Sequence, residues 1–167
     1  MKYHIAIIGI MVLISCTQNR IELANNYLSS VINNRAKEFD IDPVFVTAII
    51  YAESNFYKYA KSSAGAKGYM QIQEESAIDG LRYAGYYYLS ERILNKKETL
   101  YDVDINILSG CAYLHWIKKK KMKRFENWIT LMAYYNSGSS DIVFGSYILK
   151  INKYYKNITG KEIKLLE

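Results

Sequence analysis

The sequence predicts an all-α domain, and three observations carry that prediction. No stretch alternates apolar and polar residues over the length a strand needs. Apolar residues recur instead at helical spacing in one segment after another. The single proline among 167 residues, Pro43, stands where a helix would begin rather than where one would break. A chain of this length holds one ordinary core, and it contains no internal repeat or low-complexity stretch. The 17 tyrosines are compatible with a skewed nucleotide composition as well as with an aromatic site.

Residues 1–15 read as a signal segment outside the fold. Lys2 and the amino terminus give a short positive start. Ile5 to Ile14 is apolar but for Gly9, too short to span a bilayer. The end, Leu13-Ile14-Ser15-Cys16, resembles a bacterial lipobox, with Cys16 as the lipidated first residue of the mature chain. The alternative is an ordinary cleaved signal with an incidental cysteine. Lipoprotein processing would supply the two or more acyl chains that stable anchoring requires. Thr17, rather than Asp, resembles an outer-membrane sorting signal facing the periplasm in a cell with two membranes. Residues 16–20 form a short tether, and 21–167 the folded domain.

A first helix is expected over Ile21 to Phe39, with Leu28, Val31, Ile32 and Arg35 at helical spacing. Asp42 is a suitable N-cap and Pro43 a suitable first residue for the second helix. Val44 to Ala52 is apolar at every position but Thr47, so this helix is buried nearly all round. Glu53 then sits at its C-terminal end. Burial and the negative end of the helix dipole both disfavour a carboxylate there, so its pKa should rise toward the range a general acid needs. Ser54, Asn55, Ser62 and Ser63 follow, with Gly65 and Gly68 permitting tight turns near a ligand. A carboxylic acid, a polar Gly-containing loop and aromatic surroundings suit a sugar site better than a phosphate or metal site.

Met70 and Gln71 are expected to open a helical segment that ends near Asp79-Gly80. Tyr83 to Leu89 is a tyrosine cluster containing Gly85; core packing is favoured over an aromatic wall along a sugar groove. Asn95 to Leu100 is loop-like. Asp102 or Asp104 caps the next helix, whose Ile105, Leu108 and Ala112 share a side. Gly110 within it costs about 1 kcal/mol relative to Ala, which points to a close contact with another helix. That helix ends in Lys118 to Lys121, a solvated end that complements the dipole, with attraction to anionic wall polymer or lipid headgroups as a weaker alternative. Phe125, Trp128, Ile129 and Met132 mark another helix, C-capped at Gly138. Phe144, Tyr147, Ile148, Ile151 and Tyr155 mark the last.

Several classes of function are excluded. The formal charge is +6, and removing residues 1–15 takes Lys2 away and leaves +5. That balance does not argue for nucleic acid in an exported lipoprotein. Acylation of Cys16 would leave Cys111 as the only other cysteine, so no intrachain disulfide is expected, and its apolar helix face marks it as core. His4 lies in the signal and His115 stands alone, which leaves no metal constellation and no cofactor motif.

Four motifs occur in order: Glu53-Ser54; Ser62 with Gly65-Ala66 and Gly68-Tyr69-Met70-Gln71; Asn106-Ile107 with Gly110 and Tyr113-Leu114; and Tyr135-Asn136-Ser137-Gly138. Together they resemble the lytic transglycosylases with the SLT domain, related in fold to goose-type lysozyme, over roughly residues 30 to 157. Tyr69, Glu74 and Ser137 depart from the usual Leu, Pro and Ala, which bears on substrate fit more than on chemistry.

The resemblance implies a lysozyme-like helical domain with a glycan cleft, acting on peptidoglycan strands. It implies cleavage of the β-1,4 bond between N-acetylmuramic acid and N-acetylglucosamine, with Glu53 as acid and then base and a 1,6-anhydro product. It further implies that Ser62 and Gln71 hold the substrate, that Met70 lines the groove, and that Tyr135 contacts the reacting sugar or Glu53. Ser54 would orient the Glu53 loop and Asn136 fix the turn after its helix. Gly65, Gly68, Asn106 and Gly110 are the remaining motif positions. A hydrolytic lysozyme and a non-catalytic glycan-binding lipoprotein are the alternatives, and the intact Glu53 weighs against the second.

Overall fold

The computed structural model describes residues 24–95, 100–122, 127–138 and 145–163. Cys16 and the signal segment, together with Phe125 and Phe144, lie outside the described residues. Within them the domain is helical: α1 (24–38), α2 (Pro43–Ser54), α3 (Glu74–Tyr83), α4 (Tyr87–Asn95), α5 (Val103–Lys120), α6 (Trp128–Ser137) and α7 (Gly145–Thr159). The described residues contain no strand, only the isolated bridges Lys61–Lys67 and Lys67–Ile72 in the loop after α2. No described helix is long and apolar enough to cross a membrane.

Helix α5 is the axis of the core. Every residue from Asn106 to Leu114 is buried, and α3 and α6 pack against it. Asp102, not Asp104, caps it, accepting from Ile105 N at 3.0 Å. Asp104 instead takes a two-pronged contact from Arg35, 2.8 Å from Nε and 2.6 Å from Nη2, which fastens α1 to α5. That geometry is the stronger form of ion pair, and Asp104 holds the guanidinium well above its ordinary pKa. The close helix contact expected of Gly110 is not found; what lies against it is the side chain of Met70, from the loop before α3. A Cβ there would lie 2.3 Å from Met70 Sδ. The tightest helix crossing belongs to Gly80, where a Cβ would meet Tyr113 N at 2.5 Å.

Helix α2 begins as its sequence dictates, with Asp42 accepting from Val44 N at 2.8 Å and Pro43 in the first turn. It packs on α7. Tyr155 donates to Asp42 Oδ2 at 2.5 Å, beside the start of α2. Tyr147, eight residues earlier, reaches the other end, so the two helices run antiparallel. Between these contacts Ile151 is fully buried and Tyr154 stacks on Tyr51 at 4.5 Å. Cys111 is core, with its thiol pushed up by burial.

Two expectations need correction. Met70 and Gln71 do not open a helix. Gln71 has φ +45°, which a right-handed helix cannot contain, and α3 starts at Glu74 after Gln73 and runs on to Tyr83. The tyrosine cluster is not mainly core, since Tyr87 and Tyr88 are 66% and 76% exposed. Helix α4 turns Ser90 and Ile93 inward instead.

Candidate active site

Glu53 occupies the penultimate position of α2, and the chain leaves the helix through two consecutive left-handed residues, Asn55 (φ 49°) and Phe56 (φ 61°). Its carboxyl is half-buried. Tyr147 donates its hydroxyl to Glu53 Oε1 at 2.5 Å. One turn along α7, Lys150 donates to Ala52 O at 3.0 Å and lies 4.9 Å from the centre of the Tyr51 ring. A cation on the last carbonyls of α2 suits the helix dipole.

Burial is the largest influence on Glu53 and pushes its pKa up to about 7, while the Tyr147 hydrogen bond and the Lys150 charge pull the other way. Among the described residues no other carboxylate is among the influences. Tyr147 and Tyr135 are both pushed well up, by burial first and then by the nearby Glu53 charge. The result is one carboxyl group that can hold a proton near neutrality and can also bear charge once it is lost.

The loop after α2 is held by polar contacts that the motif residues supply. Ser54 Oγ donates to Tyr69 O at 2.8 Å and lies 3.1 Å from Ile50 O, so it ties the loop to the last turn of α2. Ser62 Oγ accepts from Ala66 N at 3.0 Å, and Gly65 turns beside it at φ +86°. Gln71 Nε2 donates to Ala60 O and Gly68 O, each at 3.0 Å.

Asn106, 1% exposed, is the clamp between this loop and α5. Its Oδ1 accepts from Met70 N at 2.9 Å, and its Nδ2 donates to Lys67 O at 2.9 Å and Leu100 O at 2.8 Å. Gly68 passes so close that a Cβ would lie 2.3 Å from Asn106 Nδ2.

Several motif residues therefore serve differently from what the resemblance implies. Met70 does not line a groove, because its side chain is fully buried against Gly110. Tyr135 does not bond Glu53. Its hydroxyl donates to Met70 O at 2.9 Å and braces the loop from behind. Asn136 is exposed near the end of α6, and Gly138, at φ +75° with its N–H on Tyr134 O, makes the turn.

Tyr147, which does bond Glu53, was read from the sequence only as one of a helical stripe. One signal was available: a tyrosine among buried aliphatic residues needs a partner for its hydroxyl. Among the described residues no group of three or more His, Cys, Asp or Glu could hold a metal ion.

Comparison with known proteins agrees with this geometry. The transglycosylase SLT domain model matches residues 30–146. Membrane-bound lytic murein transglycosylase E of Buchnera aphidicola subsp. Acyrthosiphon pisum is 31% identical over 67% of this chain and 51% of its own length. The protein of that name from Buchnera aphidicola subsp. Baizongia pistaciae is 32% identical over 74% and 61%. Membrane-bound lytic murein transglycosylase C of Klebsiella pneumoniae is 29% identical over 81% of this chain and 39% of its own. The chain thus spans about half to three fifths of the two Buchnera relatives. An X-ray structure of an inactive mutant of the lytic transglycosylase Slt from Pseudomonas aeruginosa superposes with a TM-score of 0.63 at 22% identity, covering 78% of this chain and 24% of that one. That superposition establishes the fold, and the family match over most of the chain places it in the transglycosylase SLT domain family.

Proposed function

We propose that this domain is a peptidoglycan lytic transglycosylase. It cleaves the β-1,4 bond between N-acetylmuramic acid and N-acetylglucosamine and leaves a 1,6-anhydromuramic end. The observation that carries the reading is Glu53 itself, a half-buried carboxyl raised to about 7 and bonded by Tyr147, with no other carboxylate among the described residues that act on it. Hydrolysis by the usual routes needs two carboxylates flanking the bond. With no second carboxylate beside Glu53 among the described residues, the muramyl C6 hydroxyl is the nucleophile at hand, since an intramolecular attack has the proximity advantage that water lacks.

Glu53 gives its proton to the leaving glycosidic oxygen as the bond to C1 breaks. The resulting carboxylate, steadied by the Tyr147 hydroxyl, then takes the proton of the C6 hydroxyl as that oxygen bonds to C1. The proton count closes and Glu53 ends as it began. Ser62 uses its oxygen within the turn, so its hydroxyl proton remains to meet the glycan, and the carbonyl end of Gln71 is the matching acceptor. Tyr135 and Asn106 act through the loop they hold. Attachment to a membrane through an acylated Cys16, with the domain in the cell envelope, is the accompanying proposal. It is supported by the lipobox-like sequence and by the words "membrane-bound" in the relatives' names.

Glu53→Gln tests the assignment of the acid. The amide keeps the shape but cannot act as an acid, and general acid–base catalysis is worth roughly 10²–10⁴-fold. Clearing of purified peptidoglycan should therefore fall by at least about a hundredfold. A variant that keeps a tenth of the activity or more would remove Glu53 from the role.

A further inference from the structure

Three tyrosine rings form a continuous run, two of them exposed on the loop that follows Glu53 in sequence and the third, Tyr101, half-buried just before α5. Tyr57 and Tyr59 meet edge-on with centres 6.3 Å apart, and Tyr59 and Tyr101 lie 6.0 Å apart. Tyr57 is 60% exposed and Tyr59 59%. Lys58 Nζ stands 5.3 Å over the Tyr59 ring, and Lys67 Nζ 5.8 Å over that of Tyr101. The backbone that carries these rings is fixed: Tyr57 N donates to Ser54 O, Ala60 N to Tyr57 O, and the Gln71 amide to Ala60 O. Clustered exposed aromatic rings on an anchored loop mark an interaction surface more often than scattered ones do.

Along the loop that carries Tyr57 and Tyr59, between Glu53 and Glu74, the charge has one sign. From Ser54 to Gln73 the chain has three lysines, Lys58, Lys61 and Lys67, and no acidic residue. The acids that follow Tyr101 are engaged elsewhere, Asp102 in capping α5 and Asp104 with Arg35. The exposed large apolar side chains of this segment are tyrosines alone, with no Leu, Ile, Phe or Trp among them. A surface meant to enter a bilayer would present such aliphatic or indole groups. A pyranose ring offers instead a face of weakly positive C–H groups to the negative face of a tyrosine.

We infer that this tyrosine–lysine surface is a second binding site for the glycan strand, beyond the sugars that flank the scissile bond. Pyranose rings lie against Tyr57 and Tyr59, and Lys58 and Lys61 meet the carboxylates of the peptide stems. The site rests on the peptidoglycan reading above and narrows its substrate to strands that still carry stems.

The test is binding, measured on the full chain carrying Glu53→Gln by co-sedimentation with purified sacculi, with sacculi stripped of stems by an amidase, and with anionic lipid vesicles. Adding Tyr57→Ala and Tyr59→Ala should weaken binding to intact sacculi about tenfold or more, with the melting temperature unchanged. Adding Lys58→Gln and Lys61→Gln instead should weaken it about threefold, and only where stems are present. Intact-sacculus binding indifferent to the tyrosines overturns the site and leaves the catalytic reading standing. Equal losses on vesicles assign the surface to lipid and overturn it as well. A Glu53→Gln protein that binds no sacculi at all overturns the peptidoglycan reading, and the site with it.

Discussion

Glu53 holds its proton because it is packed away from water, and that has a thermodynamic sign. In the unfolded chain the carboxyl ionises near 4.5, and in the folded domain near 7. Between those values the folded state retains a proton that the unfolded state has released. Stability should therefore decline as pH rises from about 4.5 to 7 and level off above, by on the order of 3 kcal/mol in all. Glu53→Gln should lack the decline, so urea unfolding at pH 4.5 and pH 8 should show the wild type losing ground to the variant. Parallel losses would mean that Glu53 is better solvated than its surroundings imply.

Under the proposed mechanism the same proton sets the rate profile, and kcat/KM should fall above about pH 7 as Glu53 ionises. The Tyr147 bond favours the charged form, so in Tyr147→Phe the falling limb should move to higher pH; a limb that stays put would separate Tyr147 from the acid. The rise in the Glu53 pKa could be foreseen from its place after an apolar helix. Its partner could not, because 94 residues separate the two and nothing local to α7 points toward α2.

At the scale of elements, two glycines divide by what stands opposite them. A methyl on Gly110 would strike Met70 Sδ, the far end of a flexible side chain, whereas one on Gly80 would strike the Tyr113 backbone. Alanine gains about 1 kcal/mol of helix propensity in each case. Gly110→Ala should thus cost under about 2 kcal/mol, and Gly80→Ala, which forces α3 off α5, should cost more. Thermal melts of the two variants check the order, and a milder Gly80→Ala would mean that the crossing can slide.

The caps on α2, α5 and α6 were readable because a cap is a matter of neighbouring residues. Asp42 and Gly138 do what their positions in sequence dictate. The segment through Met70 and Gln71 was not readable. Its left-handed turn is held by Asn106 on α5 and Tyr135 on α6, so long-range hydrogen bonds override a helix-forming composition. Asn106→Ala would strand the Met70 N–H and take the amide donor from Leu100 O, while Lys67 O keeps the Ile72 N–H, and should cost about 2 kcal/mol or more. A loss under about 1 kcal/mol would mean that water replaces the clamp. Tyr87 and Tyr88 misled for a different reason: a large aromatic residue carries no mark that says which face of a short helix it will take.

For the molecule as a whole, α7 lies antiparallel along α2, with Tyr155 fixing one end and Tyr147 the other. The core below places a single carboxyl at the end of a buried helix, beneath a loop that α5 and α6 clamp. The fold class was legible in the sequence because most of the described helices declare themselves through spacing, α4 and the start of α3 excepted. The arrangement of α7 over α2 was not, since it depends on two tyrosine hydroxyls that spacing alone treats as apolar bulk.

The central claim is that this arrangement, with Glu53 as acid and then base, directs the sugar's own C6 hydroxyl to C1 instead of water. Mass spectrometry of muropeptides released from peptidoglycan in heavy-oxygen water tests it most directly. The predicted products end in 1,6-anhydromuramic acid and carry no heavy oxygen at the new muramyl ends; reducing muramyl ends bearing heavy oxygen would mean hydrolysis and would contradict the claim.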